Sequence, residues 1–107
     1  MKHHLGEFEE VVMLTVAILQ GEAYAIGIME EIEERLVRKV SVGSLQVVLR
    51  RLEDKGLLTS EFGEATKIRG GKRKRYFQLT NSGKKALTEA KEQRIALWNA
   101  IPTIAFK

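Results

Sequence analysis

The sequence lacks most of the residues that carry chemistry. It contains no cysteine, which excludes disulfides, thiolate metal sites, iron–sulfur clusters and thiol nucleophiles. Its two histidines, His3 and His4, are adjacent at the N-terminus, and Asp54 is its single aspartate. A Ser-His-Asp site needs a histidine held between two partners, and a zinc centre needs converging ligands with a supporting shell; neither can be assembled here. The composition therefore points away from an enzyme, and no cofactor or metal is expected. Long apolar runs are missing too. The longest, Val11–Leu19, is nine residues interrupted by Thr15, whereas a bilayer span needs about 20. Glu7, Glu9 and Glu10 precede it where a signal peptide would carry positive charge. With no export segment and no cysteine, a cytoplasmic location is expected.

What remains is one domain's worth of protein, 107 residues with 44% hydrophobic and 30% charged side chains. The net charge of +4 conceals a segregation along the chain. Residues 1–34 carry one cation and eight acids, for −7, while residues 35–75 carry twelve cations and four acids, for +8. Residues 76–107 add +3. Such a division suits a protein that turns one basic face toward a polyanion.

Hydrophobic spacing predicts four helices. The first spans about Glu7 to Leu19, apolar nearly all round, with an acidic first turn and Gln20-Gly21 as its stop. The second spans about Ala23 to Val37, with a buried stripe of Ala25, Ile28, Met29, Ile32 and Leu36. Its Glu30, Glu31, Glu33 and Glu34 read as a solvated face rather than a metal site. The third starts at Ser41 or Ser44 and ends at Gly56. Leu45, Val48, Leu49 and Leu52 form its core stripe, which leaves Gly43, Gln46, Val47, Arg50 and Arg51 outward and Ser44 at the edge. That outward face is short, polar and cationic, with the dimensions to enter a major groove.

Leu57–Phe62 and Arg75–Leu79 read as short strands, with Gly70-Gly71 marking a turn between them. Six of the nine residues in 67–75 are basic: Lys67, Arg69, Lys72, Arg73, Lys74 and Arg75. A hairpin with such a tip suits a phosphate backbone or a narrow minor groove, although the same run also fits a solvated charge cluster. The last helix starts after Thr80 and continues to Trp98 or just beyond, before Pro102. Leu87, Ala90, Arg94, Leu97 and Ile101 follow a heptad seam, with Trp98 beside it; two heptads can extend a core or pair with a second copy. Gly70-Gly71-Lys72 is not a phosphate-binding loop, because Thr66 and Arg73 stand where that pattern needs glycine and serine or threonine.

Three helices, a basic hairpin and a long last helix follow the order of a winged helix-turn-helix domain, mainly α with a small two-stranded hairpin. The sequence resembles the PadR family of bacterial transcriptional regulators, in its short form with a single C-terminal helix. The resemblance is carried by Leu5-Gly6-Glu7-Phe8-Glu9, Tyr24-Ala25-Ile26, Val42-Gly43-Ser44-Leu45 and Leu49-Arg50-Arg51-Leu52-Glu53-Asp54-Lys55-Gly56-Leu57. It continues through Gly70-Gly71-Lys72-Arg73-Lys74-Arg75-Tyr76-Phe77, Leu79-Thr80 and Gly83.

The resemblance implies a homodimer that binds an inverted-repeat operator in double-stranded DNA, usually as a repressor. Residues 1–79 would form the DNA-binding part and residues 80–107 the dimerisation helix and tail, as one structural unit. Ser41, Gly43, Ser44, Gln46, Val47, Arg50 and Arg51 become the recognition-helix candidates. The six basic residues of the hairpin become the wing contacts, and Tyr76 the anchor of the second strand. Phe8, Leu87, Ala90, Arg94, Leu97, Trp98 and Ile101 become the dimer candidates. Some relatives are released by small planar or aromatic ligands, and Trp98 could stack on one, or serve the interface alone.

Many members have Tyr and Pro where this chain has Gln46 and Val47, so its groove-reading surface is its own. Gln46 has the donor and acceptor to pair with adenine, and Val47 the methyls to meet thymine; a solvated glutamine and a valine packed under the wing are the alternatives. Arg50 and Arg51 lie farther along the helix, where phosphate is the nearer target. A different class of function is a winged-helix module that binds protein through its acidic first two helices.

Overall fold

The computed structural model describes residues 4–63 and 73–106. Three helices, α1 (Glu7–Leu19), α2 (Ala25–Leu36) and α3 (Val42–Asp54), are followed by strands β1 (Leu58–Phe62) and β2 (Arg75–Leu79). The long helix α4 (Asn81–Ala100) comes next, and a short 3-10 turn, Thr103–Phe106, ends the chain. The strands are antiparallel, with Leu58 opposite Leu79 and Phe62 opposite Arg75. Lys67, Arg69, Lys72 and the Gly70-Gly71 turn lie outside the described residues.

The helix ends have identifiable causes. The backbone N–H of Gly6 donates to the Glu9 carboxylate at 2.9 Å, supporting the start of α1. Ser41 caps α3 by accepting from the Ser44 N–H at 3.1 Å. Thr80 caps α4 in the same way, from Gly83 at 3.0 Å. Helix α2 begins two residues later than its periodicity suggests. Ala23 is engaged elsewhere: its carbonyl accepts the Phe77 N–H at 2.8 Å, adding a one-residue bridge along β2. Gly56, at φ +75°, turns the chain from α3 into β1, so the strand starts at Leu58 rather than Leu57.

The core joins all three helices of the body to the hairpin. Met13, Ile28, Ile32, Leu45, Leu52 and Leu57 are fully buried, with Val12, Val16, Leu49, Leu58 and Phe77 around them. Each large side chain buried contributes about 1.5–3 kcal/mol, against about 1 for a cap, so the apolar stripes decide how the helices pack. The third-helix stripe of Leu45, Val48, Leu49 and Leu52 is buried as its spacing requires. The second-helix stripe is truncated: Leu36 is 50% exposed because it lies on the last turn of α2 and is not part of the core cluster.

Some acids have partners that local spacing does not give: two of the α2 glutamates expected on a solvated face, and Glu9 of the acidic first turn of α1. Glu33 accepts the Val40 N–H at 2.9 Å and closes the α2–α3 connection, and Glu31 pairs with Arg35. Glu9 is buried beside Lys55, whose Nζ lies 2.8 Å from its carboxylate. Burial alone would raise the Glu9 pKa. The hydrogen bonds from Lys55 and Gly6, with the charges of Lys55 and Arg51, outweigh it and hold the carboxyl below the ordinary glutamate range. At the same end of the molecule, Arg38 donates to both oxygens of Glu7, at 2.8 and 3.0 Å, and lies over the Phe8 ring.

Val37, which closes α2, is held at φ 48° and ψ 49° with a side chain 93% exposed. The left-handed conformation costs a β-branched residue about 1–2 kcal/mol, and this side chain recovers nothing by packing. Val37→Asn is expected to stabilise the fold by about 1 kcal/mol, read as a higher urea midpoint at an unchanged m-value. A midpoint that stays or falls would contradict strain at this position.

Candidate nucleic-acid interface

The seven recognition-helix candidates are all exposed: Ser41, Gly43, Ser44, Gln46, Val47, Arg50 and Arg51. They are not equivalent. The Ser41 and Ser44 hydroxyls bond each other at 2.8 Å, and Ser41 also caps the helix, so both serve the start of α3. Among the described residues Val47 is 58% exposed. Gln46 and Arg50 border a cleft of about 820 Å³ whose lining also includes Tyr24 and Ile26 of the α2 start, Glu53 and Asp54 of α3, and Arg75 of β2. Arg51 turns the other way, toward α1, where its charge acts on Glu9.

The described cations of the hairpin are each held by a specific partner. Arg73 donates through Nε to the Gly63 carbonyl at 2.9 Å. The Lys74 ammonium sits 4.2 Å from the centre of the Tyr24 ring. Arg75 donates through Nε to the Ser60 hydroxyl at 2.8 Å and lies over Phe62. Tyr76 meets the Tyr24 ring edge-on, with centroids 6.0 Å apart, and so ties β2 to the start of α2. Tyr24, Ser60 and Phe62 were not among the sequence candidates. Their roles depend on pairings with the second strand across 13 to 52 residues, and no local spacing announces them.

A second surface lies at the far end of α4. Every residue from 91 to 106 is exposed, among them Leu97 at 72% and Trp98 at 66%. Trp98 stacks at 5.8 Å on Phe106 from the terminal turn, and Ile95, Ile101 and Ile104 extend the apolar patch. The dimer candidates divide between two settings. Leu97, Trp98 and Ile101 belong to this patch, whereas Phe8 and Leu87 pack partly against the chain's own core. Between them, Ala90 lines a groove shared by α4 and the start of α1, crossed by the Arg94–Glu10 ion pair at 2.7 Å.

Among the described residues no group of three or more His, Cys, Asp or Glu converges as a metal site, and no helix is long and apolar enough to cross a membrane. Three helices, a two-stranded wing and a projecting last helix define a winged helix-turn-helix protein. The family model of the PadR-like transcriptional regulators matches residues 13–89, and the chain belongs to that family. Its members are transcriptional regulators, and this chain is accordingly not an enzyme.

Among solved structures, a PadR-like transcription factor from Bacteroides fragilis is 31% identical, with a TM-score of 0.73 over 86% of this chain and 84% of that one. A PadR family regulator from Eggerthella lenta is 27% identical, with a TM-score of 0.69 over 87% and 80%. One from Clostridium difficile is 26% identical, with a TM-score of 0.66 over 86% and 92%. No curated protein matches.

Proposed function

We propose that this chain is a sequence-specific regulator that binds double-stranded DNA as a homodimer and represses from an inverted-repeat operator. The observation that carries the reading is the cleft that brings the exposed Gln46 and Arg50 of α3 together with the exposed Arg75 of the wing, with Glu53 and Asp54 also on its lining. A duplex laid along it would meet base-reading groups from the helix and phosphate-binding groups from the hairpin together. The charge division agrees, since the +8 of residues 35–75 contains both elements. Residues 1–79 supply the DNA-binding part, and residues 80–107 the contact with the second copy. A small planar or aromatic effector would bind where Trp98 is exposed, and the protein would act in the cytoplasm.

Selection of bound sites from random duplexes is expected to return a two-fold-related sequence. Failure to enrich any site would reject the reading in favour of a protein-binding module. On the selected site, Arg73→Gln or Lys74→Gln is expected to lower the slope of log affinity against log salt by about one unit, with affinity falling across all sequences. Gln46→Ala is expected instead to change the base preferred at one position per half-site. An unchanged preference would remove Gln46 from base reading.

A further inference from the structure

Recognition helix and wing are linked by a chain of polar contacts that base reading and phosphate binding do not by themselves require. Near the end of α3, the Glu53 carboxylate accepts the Ser60 hydroxyl proton at 2.7 Å. The same Ser60 oxygen accepts the Nε–H of Arg75 at 2.8 Å. The strand register puts Ser60 opposite Phe77 and Phe62 opposite Arg75, so these four side chains share one face of the hairpin. Phe77 is buried in the core, while the Arg75 guanidinium lies 5.2 Å from the Phe62 ring centre.

We infer that Ser60 is a positioning residue for DNA binding: it fastens Arg75 of the wing to Glu53 of the recognition helix while keeping the two charges from pairing directly. The inference rests on the DNA-binding function proposed above and names how one of its contacts is aimed. A hydroxyl can donate to a carboxylate and accept from a guanidinium at once, and few side chains can do both. Arginine and carboxylate in direct contact form a bidentate pair that occupies two guanidinium nitrogens. Among the described residues Glu53 and Arg75 form no ion pair, and Arg75 uses only Nε in a hydrogen bond. Among the described residues its terminal nitrogens therefore carry no hydrogen bond, at the cleft it lines with Gln46, Arg50 and Glu53. Because Glu53 stands on α3, the direction of the Arg75 side chain follows the recognition helix as well as the strand that carries it.

The test is a double-mutant cycle, read as affinity for a fluorescein-labelled random-sequence duplex across a salt series. Ser60→Ala and Arg75→Gln are each expected to weaken binding about fivefold and to lower the salt slope by about one unit. In the Arg75→Gln background, Ser60→Ala should change affinity by less than about twofold, and Ser60→Thr should keep wild-type binding because it retains the hydroxyl. Equal losses from Ser60→Ala in both backgrounds, or no loss in either, would overturn the positioning role while leaving DNA binding intact. A wild-type chain that binds no duplex at any salt would overturn the proposed function, and this inference with it.

Discussion

Replacing Gly83 with alanine is expected to destabilise the protein by about 3 kcal/mol and to lower its melting temperature by more than about 10 °C. The cause is space rather than backbone conformation. A Cβ at this position would lie 2.1 Å from the Leu57 carbonyl oxygen and 3.1 Å from its carbonyl carbon, both backbone atoms with no rotamer to move. Relief requires α4 to lift away from the corner between α3 and β1. That movement breaks the bonds that seat it: Thr80 Oγ1–H to the Gly56 carbonyl at 2.6 Å, and the Thr80 N–H to the Leu57 carbonyl at 3.1 Å. Thermal unfolding followed by circular dichroism measures the loss. A melting temperature within two or three degrees of wild type, a change of about 0.5 kcal/mol, would show that the corner yields cheaply.

The second large effect concerns the outer half of α4. Exchanging Leu97 for aspartate and Trp98 for alanine together is expected to raise the dissociation constant of the proposed homodimer at least about a hundredfold, since a tryptophan anchor buried at a contact carries about 2–4 kcal/mol. Both side chains are exposed in the single chain, so the monomer should keep its melting temperature to within a few degrees. Sedimentation velocity reads the mass and a binding titration reads the consequence, because a dimer on two half-sites loses the benefit of linkage when it separates. Retention of wild-type mass and operator affinity by the double variant would exclude this patch as the dimer contact.

Much of the fold is legible in local spacing. Leu45, Val48, Leu49 and Leu52 recur on one side of α3, and burial of that side leaves Gln46, Val47 and Arg50 outward with no further information. The ends of α1 and α4 follow from the acidic first turn at Glu7, Gln20-Gly21, Thr80 and Pro102 in the same way. What spacing does not reveal is the use of polar residues over distance. Glu9 looks like one of three acids on a helix start, yet it is buried by a lysine 46 residues away. Ser60 looks like a polar strand residue and proves to join a helix to the opposite strand. Tyr24 opens a helix in the sequence and, in three dimensions, carries Lys74 and steadies Tyr76. Local periodicity reports which side of an element meets the core; it holds no signal for which exposed groups meet one another.

The corner that seats Gly83 also makes α4 a lever. Its near end is fixed at Gly56 and Leu57, and its 20 residues reach about 30 Å before Trp98 and Phe106 meet near the tip. A tilt of ten degrees at the seat, which would also part Arg94 from Glu10 of α1, would move that tip by about 5 Å on this geometry. In a pair joined at the tips the relation runs backward: a molecule wedged beside Trp98 would swing two winged domains through comparable distances without touching either. Successive turns of B-DNA repeat about every 34 Å, so a displacement of that size would put two recognition helices out of phase with their grooves.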